Sequence, residues 1–126
     1  MPTTTTTATK TARTLQASAS NAAAATTTGT GLDVTTKLGG VATLVITNGG
    51  TGPTIACDAI LETSRDNTNW YEFSRQTASV TNSAVATFNV LVPESVMYLR
   101  SKFTGNTAQA VTVEAYFQEL TAFSTS

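Results

Sequence analysis

Residues 55–73 constrain the fold most, because they have the pattern of one complete β-hairpin. Ile55, Cys57, Ala59 and Leu61 occupy alternate positions, which is the period-2 pattern of a strand with one buried face. The segment SRDNTN follows, and its Asp and Asn side chains favour turns because they bond their own backbone. Aromatic residues 70–73 then resume a strand. We therefore expect this hairpin at the middle of the fold, with other strands packed against it.

Strand-like alternation or β-branched composition recurs along the rest of the chain, in segments 13–20, 32–34, 41–47, 84–92, 96–103 and 111–117. Turn-forming segments separate them, and NGGTGP at 48–53 is the strongest. No segment of useful length has the 3.6-residue period of a helix. About eight strands at roughly 8–12-residue spacing predict an all-β protein, an antiparallel β-sandwich or jelly roll.

Composition indicates neutral, hydroxyl-rich surfaces. Threonine supplies about a fifth of the 126 residues, and charged residues supply only 12%, well below average usage. The seven basic residues are scattered and the net charge is −1, whereas a nucleic-acid site needs clustered Lys and Arg. We therefore expect no nucleic-acid partner. Weak self-repulsion suits a protein that packs against copies of itself.

The chain begins with a low-complexity segment, PTTTTTATKTA. Ordering its backbone costs about 1–2 kcal/mol per residue, and Thr and Ala side chains recover little of that by packing on one another. We expect an extended arm over residues 1–12, ordered against a neighbouring surface of this domain or of another subunit through hydrogen bonds along a sheet edge. A sandwich domain over 13–120 and a polar tail over 121–126 follow. The candidate assembly residues in the arm are Thr4, Thr5, Thr6, Thr7 and Lys10.

A second candidate contact lies on the strand predicted over residues 96–103. Tyr98, Arg100 and Lys102 alternate along it and therefore share its outward face. Such a face is usually solvated. Tyr and Arg are also enriched at the centres of protein interfaces, so these three residues are a candidate subunit contact.

The turn before Trp70 is similar to an Asp-box turn, although it is one residue short and has no glycine. Its main interpretation is turn stabilisation, with the single tryptophan packed between the sheets. The alternative is that Trp70 and Tyr71 form an aromatic platform on which a sugar ring stacks.

Catalytic patterns are absent from the sequence. The chain has no histidine, and Cys57 lies on the apolar face of its strand, which indicates a core residue instead of a nucleophile. The carboxylates Asp58, Glu62, Glu72 and Glu114 share predicted sandwich faces, where carboxylates are usually solvated, and the acid pair of a glycosidase needs a cleft. The DNTN segment does not match a calcium-binding loop, and neither Gly-Gly pair precedes a helix. We expect no enzyme activity, no metal site and no cofactor.

Three segments together, GLDVTTKLGGVATLVITNG, a hairpin ending in DNTNWYEF, and VMYLRSKFTGNTAQAVTVEAYF, resemble small β-sandwich virion proteins of tailed bacteriophages. The resemblance covers roughly residues 13–120. It implies a capsid decoration (cement) protein, or a neighbouring head or tail component. The implied partners are the major capsid protein or another virion protein, and copies of itself, with a trimer expected.

The start of the sequence has no apolar signal-peptide segment, and no stretch approaches 18 apolar residues. We therefore expect synthesis in the cytoplasm and no membrane span, and the resemblance implies that this is the cytoplasm of a phage host and that the final location is the virion. The alternative function is a carbohydrate- or receptor-binding β-sandwich module of a phage tail or baseplate, acting through Trp70 and Tyr71.

Overall fold

Alternation of apolar and polar side chains produces strands throughout the part of the chain that the computed structural model describes, residues 6–125. Within that part there are nine strands: β1 (Thr6–Asn21), β2 (Thr26–Thr28), β3 (Leu32–Asp33), β4 (Gly40–Asn48), β5 (Asp58–Ser64), β6 (Tyr71–Thr77), β7 (Val85–Val92), β8 (Tyr98–Thr104) and β9 (Val111–Thr125).

The strands form two antiparallel sheets that pack face to face. The first sheet has the order β1-β9-β4-β7, and the second has the order β2-β8-β5-β6 with β3 also paired to β8. Strand β1 contacts β2 and β8 of the second sheet, and β4 contacts β5. Given the two strand orders, β1 therefore lies over β2 at one edge of the sandwich, and β7 lies over β6 at the other edge. The predicted all-β antiparallel sandwich is therefore confirmed, with nine strands in place of about eight. The additional strand is β2, whose three residues form a strand because they pair with β8.

The predicted hairpin is confirmed as the pair β5–β6. Asp58 pairs with Thr77 at one end and Thr63 with Tyr71 at the other. β5 lies between β8 and β6 in its sheet, and Cys57, Ala59 and Leu61 are buried as expected. The prediction for Ile55 is wrong: this side chain is exposed, because β5 begins only at Asp58.

The core lies between the inner faces of the two sheets. On β4 and β9 every second side chain is buried, and β8 supplies Leu99 and Phe103 opposite them. The most buried apolar members are Leu44, Ile46, Leu61, Leu99, Phe103, Val113 and Phe117. On edge strand β7 the inward side chains Phe88 and Val90 are only partly buried.

Strands β1 and β9 are much longer than the others and pair with each other over almost their whole lengths, from Thr6 opposite Thr125 to Asn21 opposite Val111. The pairing of β4 with β9 ends at Gly40 and Glu119. Beyond that point β1 and β9 continue alone. We call residues 6–10 and 121–125 the terminal ribbon.

Replacing a core side chain tests this arrangement. Leu44→Ala removes a fully buried side chain from the centre of β4 and is expected to lower the free energy of unfolding by about 2–5 kcal/mol, because a cavity replaces packed atoms. Urea denaturation of the purified protein measures the change. Leu91→Ala on β7, where the side chain is 76% exposed, is the matched control and is expected to change stability by less than about 0.5 kcal/mol. Equal effects of the two substitutions would contradict the assigned core.

Candidate functional site

The terminal ribbon projects from the first sheet as two strands with no third. All described side chains from Thr6 to Ala12 are exposed, and the aromatic ring of Phe123 on β9, opposite Ala8, is 60% exposed. An isolated two-stranded ribbon is only marginally stable in water. The ribbon therefore has the properties of an element that becomes stable against another surface.

An ion pair holds the base of the ribbon. Arg13 of β1 donates a hydrogen bond to the carboxylate of Glu119 of β9 over 3.1 Å. Glu119 is 1% exposed, and its second carboxylate oxygen has no hydrogen-bond partner among the described residues. Leu120 also exchanges backbone hydrogen bonds with Leu38 and Gly39. These contacts fix the place where the ribbon leaves the body.

The structure places the arm and the tail of the chain together. Of the predicted arm residues, Thr6, Thr7 and Lys10 lie in the ribbon, paired with the end of β9, whereas Thr4 and Thr5 lie outside the described residues. β1 runs through residue 12 without interruption, and residues 121–125 are strand instead of an irregular tail. The surface that orders residues 6–12 within the chain is thus its own C-terminal strand, which local sequence patterns do not reveal.

The three residues predicted to share the outward face of β8 do lie on one face, and all are half-buried. Arg100 is central, since its Nε donates to Glu62 over 2.9 Å while its guanidinium lies 4.3 Å from the ring centroid of Trp70. Such stacking of a guanidinium on an indole is a cation–π interaction. The Arg100 side chain also covers Glu62, which is only 8% exposed. Arg100 is thus engaged within its own chain.

The predicted aromatic platform of Trp70 and Tyr71 is not formed. Trp70 packs on Arg100, with its ring close to Gly31, on the outer face of the second sheet. Tyr71 pairs with Thr63, is 63% exposed and lines a cavity at the sheet edge. Trp70 lies just before β6 and packs on Arg100, whereas Tyr71 faces the cavity, so the two rings do not present one stacking surface. The proposed position of Trp70 between the sheets is also wrong, because the ring packs on the outside of one of them.

The hairpin turn that leads to Trp70 is organised by Asp66. Its carboxylate accepts hydrogen bonds from the backbone N–H groups of Thr68 and Asn69, from the Asn69 amide and from the Ser64 hydroxyl. These bonds, led by those from Asn69, hold the pKa of Asp66 well below its usual range. The turn is therefore structural, as its sequence indicates.

A cavity of about 300 Å³ opens between the start of β6 and the loop that joins β7 to β8. Apolar and aromatic side chains of Tyr71, Phe73, Pro93, Val96 and Met97 line it together with the polar residues Thr63, Ser64, Arg65 and Ser95. Phe73 lies next to a β-bulge, at the register shift between Leu61 and Glu62, and a bulge re-aims neighbouring side chains. Sequence reasoning missed this site, because only the bulge and the β7–β8 crossing bring these residues together.

The ribbon and the cavity lie at the same end of the sandwich. In the first sheet Gly40, Glu119 and Val92 are neighbours at the ribbon base. Five residues then lead from Val92 to Tyr98, whose neighbour on β5 is Ser64. Because this short loop joins the two sheets, the Ser64–Tyr71 end of the second sheet lies over the ribbon base. We call this the ribbon end.

Two of the carboxylates and the thiol that the sequence analysis weighed lie in ion pairs and in the core. Asp58 and Glu72 both pair with Arg75 on the outer face of the second sheet. Burial, reinforced by the charge of Asp58, raises the pKa of the Cys57 thiol to about 11. Across residues 6–125, no three Cys, Asp or Glu side chains are grouped so that they could hold a metal ion. Within the same range, no helix is long and apolar enough to cross a membrane.

No protein-family model and no curated protein matches this chain. Among solved structures, it is similar to VP2 of the infectious bursal disease virus subviral particle, with 14% identity and a TM-score of 0.54, over 90% of this chain and 32% of VP2. The Gx strain of that virus gives 11% identity and a TM-score of 0.52, over 88% and 32% of the two chains. A family 16 carbohydrate-binding module, at 11% identity over 85% and 74% of the two chains, reaches only 0.45, too low to carry an argument.

This chain therefore spans about a third of each of these two viral chains. At such identities the likeness concerns the fold alone. It supports the β-sandwich architecture, and no family is assigned.

Removing Arg100 tests the outer-face cluster. Arg100→Ala leaves the buried carboxylate of Glu62 without its partner and is expected to lower the free energy of unfolding by about 2–3 kcal/mol. The same substitution uncovers Trp70, so acrylamide is expected to quench its fluorescence more strongly. Lys102→Ala, on the same face but with no ion pair among the described residues, is the control and is expected to leave both measurements unchanged. Unchanged quenching in Arg100→Ala would show that the stacking does not exist.

The thiol of Cys57 provides a second test. The pKa of Cys57 in the folded protein lies above that of a free thiol. Burial of the neutral thiol therefore contributes fully to the free energy of unfolding below about pH 8.5, and this contribution is lost as the pH rises towards 11. The native protein is expected to react with Ellman's reagent at pH 8 at least about 100-fold more slowly than the urea-unfolded protein. Reaction at the same rate in both states would contradict the burial of Cys57.

Proposed function

We propose that this chain is a non-enzymatic structural protein of a virion, of the capsid-decoration kind found in tailed bacteriophages, which joins neighbouring proteins through its terminal ribbon. The observation that carries the proposal is the ribbon itself. It leaves the body with both faces exposed, and its pairing with β9 does not use the outer backbone edge of β1. An exposed strand edge is a template for pairing with another chain.

Backbone pairing is the proposed mechanism of attachment. The ribbon presents N–H and C=O groups along the outer edge of β1 and, beyond Leu120, along the outer edge of β9. A strand added to either edge extends the sheet with main-chain hydrogen bonds, and exposed side chains such as Phe123 select the partner. Repetition over many copies on a particle strengthens weak contacts through effective concentration.

The outer face of the first sheet suits close contact with another protein. It consists of alternate residues of β4, β7 and β9, among them Thr43, Thr47, Thr87, Asn89, Thr112 and Gln118. Its one charged group is Glu114, which accepts a hydrogen bond from the Tyr116 hydroxyl over 2.9 Å, and this bond raises the pKa of Tyr116. A face with so little charge is covered without the cost of burying unpaired ions.

The shared fold agrees with this role, since VP2 of infectious bursal disease virus is a viral particle protein that contains a similar sandwich. The resemblance of the sequence to phage virion proteins supports it further. The alternative, a carbohydrate-binding or receptor-binding module, has less support from the geometry, because Arg100 occupies a face of Trp70. The proposed partners are the major capsid protein or another virion protein, and further copies of this chain.

Deleting the ribbon tests the proposed function. A chain that lacks residues 1–9 and 121–126 retains the Arg13–Glu119 pair and the whole core, so it is expected to keep the circular dichroism spectrum of the full chain. Its binding to isolated phage particles, measured by co-sedimentation, is expected to fall at least about 30-fold, because the main contact is gone. The full-length Val80→Ser protein, altered at an exposed site of the loop between β6 and β7, is the matched control and is expected to bind normally. A folded, ribbon-deleted chain that binds particles with unchanged affinity would refute the proposal.

A further inference from the structure

Two incomplete features, the terminal ribbon and the aromatic cavity, lie at the ribbon end of the molecule. We propose that they complete each other between two copies of this chain, so that the ribbon of each copy packs along the β6 edge of the other and Phe123 enters the other copy's cavity. This inference deepens the proposed function, on which it rests, by naming the first partner of the ribbon as a second copy.

The ribbon supplies an apolar projection that has no cover in its own chain. Phe123 is 60% exposed on a ribbon whose other described side chains are small or hydroxylated, apart from Lys10. An exposed phenyl ring at the end of a marginally stable ribbon gains most by entering an apolar pocket, since burying a Phe side chain contributes about 1.5–3 kcal/mol.

The cavity has the size and chemistry that a phenyl ring requires. Its volume of about 300 Å³ exceeds the roughly 150 Å³ that holds a benzene molecule in an engineered core. Tyr71, Phe73 and Met97 line it and are themselves exposed to solvent. Aromatic rings and a methionine sulfur both make favourable contacts with a phenyl ring. Strand β6 is the last strand of its sheet, so its outer edge can receive the ribbon backbone.

The positions of the two features predict the symmetry of the contact. The ribbon continues β1 and β9, whereas the cavity lies beside β6, at the opposite lateral side of the same end. The lateral separation is about three strand spacings, on the order of 10–15 Å. When two copies meet end to end, a two-fold axis perpendicular to the strands places the ribbon side of one copy opposite the cavity side of the other. Each ribbon then lies in line with the other copy's cavity.

The reach of the ribbon fits this arrangement. Residues 121–125 extend about 17 Å at the rise of an antiparallel strand, and Phe123 lies in the middle of that length. The contact is isologous and closed, because each copy gives one ribbon and receives one. It therefore produces a dimer instead of a filament, and it replaces the trimer that the resemblance implies.

Charge complementarity supports a second copy as the occupant. Lys10 is the single charged residue among the described ribbon residues, and Glu94 lies between cavity residues Pro93 and Ser95. Both side chains are exposed, and neither forms an ion pair within the described chain. The cavity lining also includes the exposed Arg65, so the rim carries both signs of charge, and contact between copies pairs Lys10 with the Glu94 side of the rim.

The contact area also suffices. The exposed parts of Phe123, Tyr71 and Phe73 are each on the order of 100 Å². In the two copies together these three side chains contribute about 600 Å² to the contact. Two ribbon backbones and Met97 add a similar amount, so the total reaches the roughly 1,200 Å² at which stable interfaces begin.

Analytical ultracentrifugation of the full chain between about 1 and 100 μM tests the proposal. A dimer is expected, and Phe123→Ser and Tyr71→Ser are each expected to weaken it at least about 30-fold, since both rings lie at the centre of the contact. Val85→Ser is the matched control, because this apolar side chain is 63% exposed at the opposite end of β7, and it is expected to dimerise normally. A monomer or a trimer at 100 μM, or a dimer that Phe123→Ser leaves intact, would overturn the proposal.

A charge exchange tests the pairing of the two elements directly. Lys10→Glu and Glu94→Lys are each expected to weaken the dimer, whereas the double variant is expected to restore it within about three-fold of the original affinity. Phe123→Cys combined with Met97→Cys is expected to give a disulfide-linked dimer on oxidation, because the ribbon and cavity of one chain lie on opposite sides. Failure of the rescue together with linkage only within one chain would overturn the proposed exchange.

Particle binding separates this inference from the proposed function. A chain that dimerises as described but never binds phage particles keeps the inference and refutes the virion role. A wild-type chain that binds particles yet remains monomeric at 100 μM keeps the virion role and refutes the inference.

Discussion

The structure depends on the antiparallel pairing of β1 with β9. It joins the two ends of the chain over strands of sixteen and fifteen residues and places β9 inside the first sheet, between β1 and β4. Phe117, Ala115 and Val113 of β9 consequently face the core with no exposed area. The same pairing continues past the core as the terminal ribbon. One set of hydrogen bonds therefore stabilises the body and also builds the element proposed for assembly.

The two ends of the sandwich differ in how their polar groups are satisfied. Opposite the ribbon end, buried asparagines connect the loops: Asn106 donates to the backbone of Asn21, Ala22 and Gln109, and Asn21 donates to Asn106 over 2.6 Å. Buried amides that are bonded in this way hold loops in one arrangement. The ribbon end instead leaves apolar rings and strand edges exposed. Hydrogen-bonded buried amides therefore lie at one end, and the ribbon proposed for assembly lies at the other.

Local pattern was sufficient wherever neighbouring residues decide the structure. Alternation located the β5–β6 hairpin and most strands of the core, and turn chemistry located the Asp66 loop, because these depend on contacts close in sequence. Pattern was not sufficient for Trp70, whose ring packs on Arg100, thirty residues away. It also missed the cavity, where Tyr71 at the start of β6 and Met97 in the loop between β7 and β8 line the same space, since periodicity contains no information about distant partners.

The sequence by itself determined an all-β chain with neutral, threonine-rich faces, because side-chain alternation and β-branched composition act residue by residue. It also determined that a Thr-rich start has too little apolar surface to become ordered alone. Only the tertiary structure decided which surface orders residues 6–12, because the partner of a strand depends on all the strands of its sheet and not on the sequence of that strand alone. That choice brought both chain ends and the cavity to the same end of the molecule.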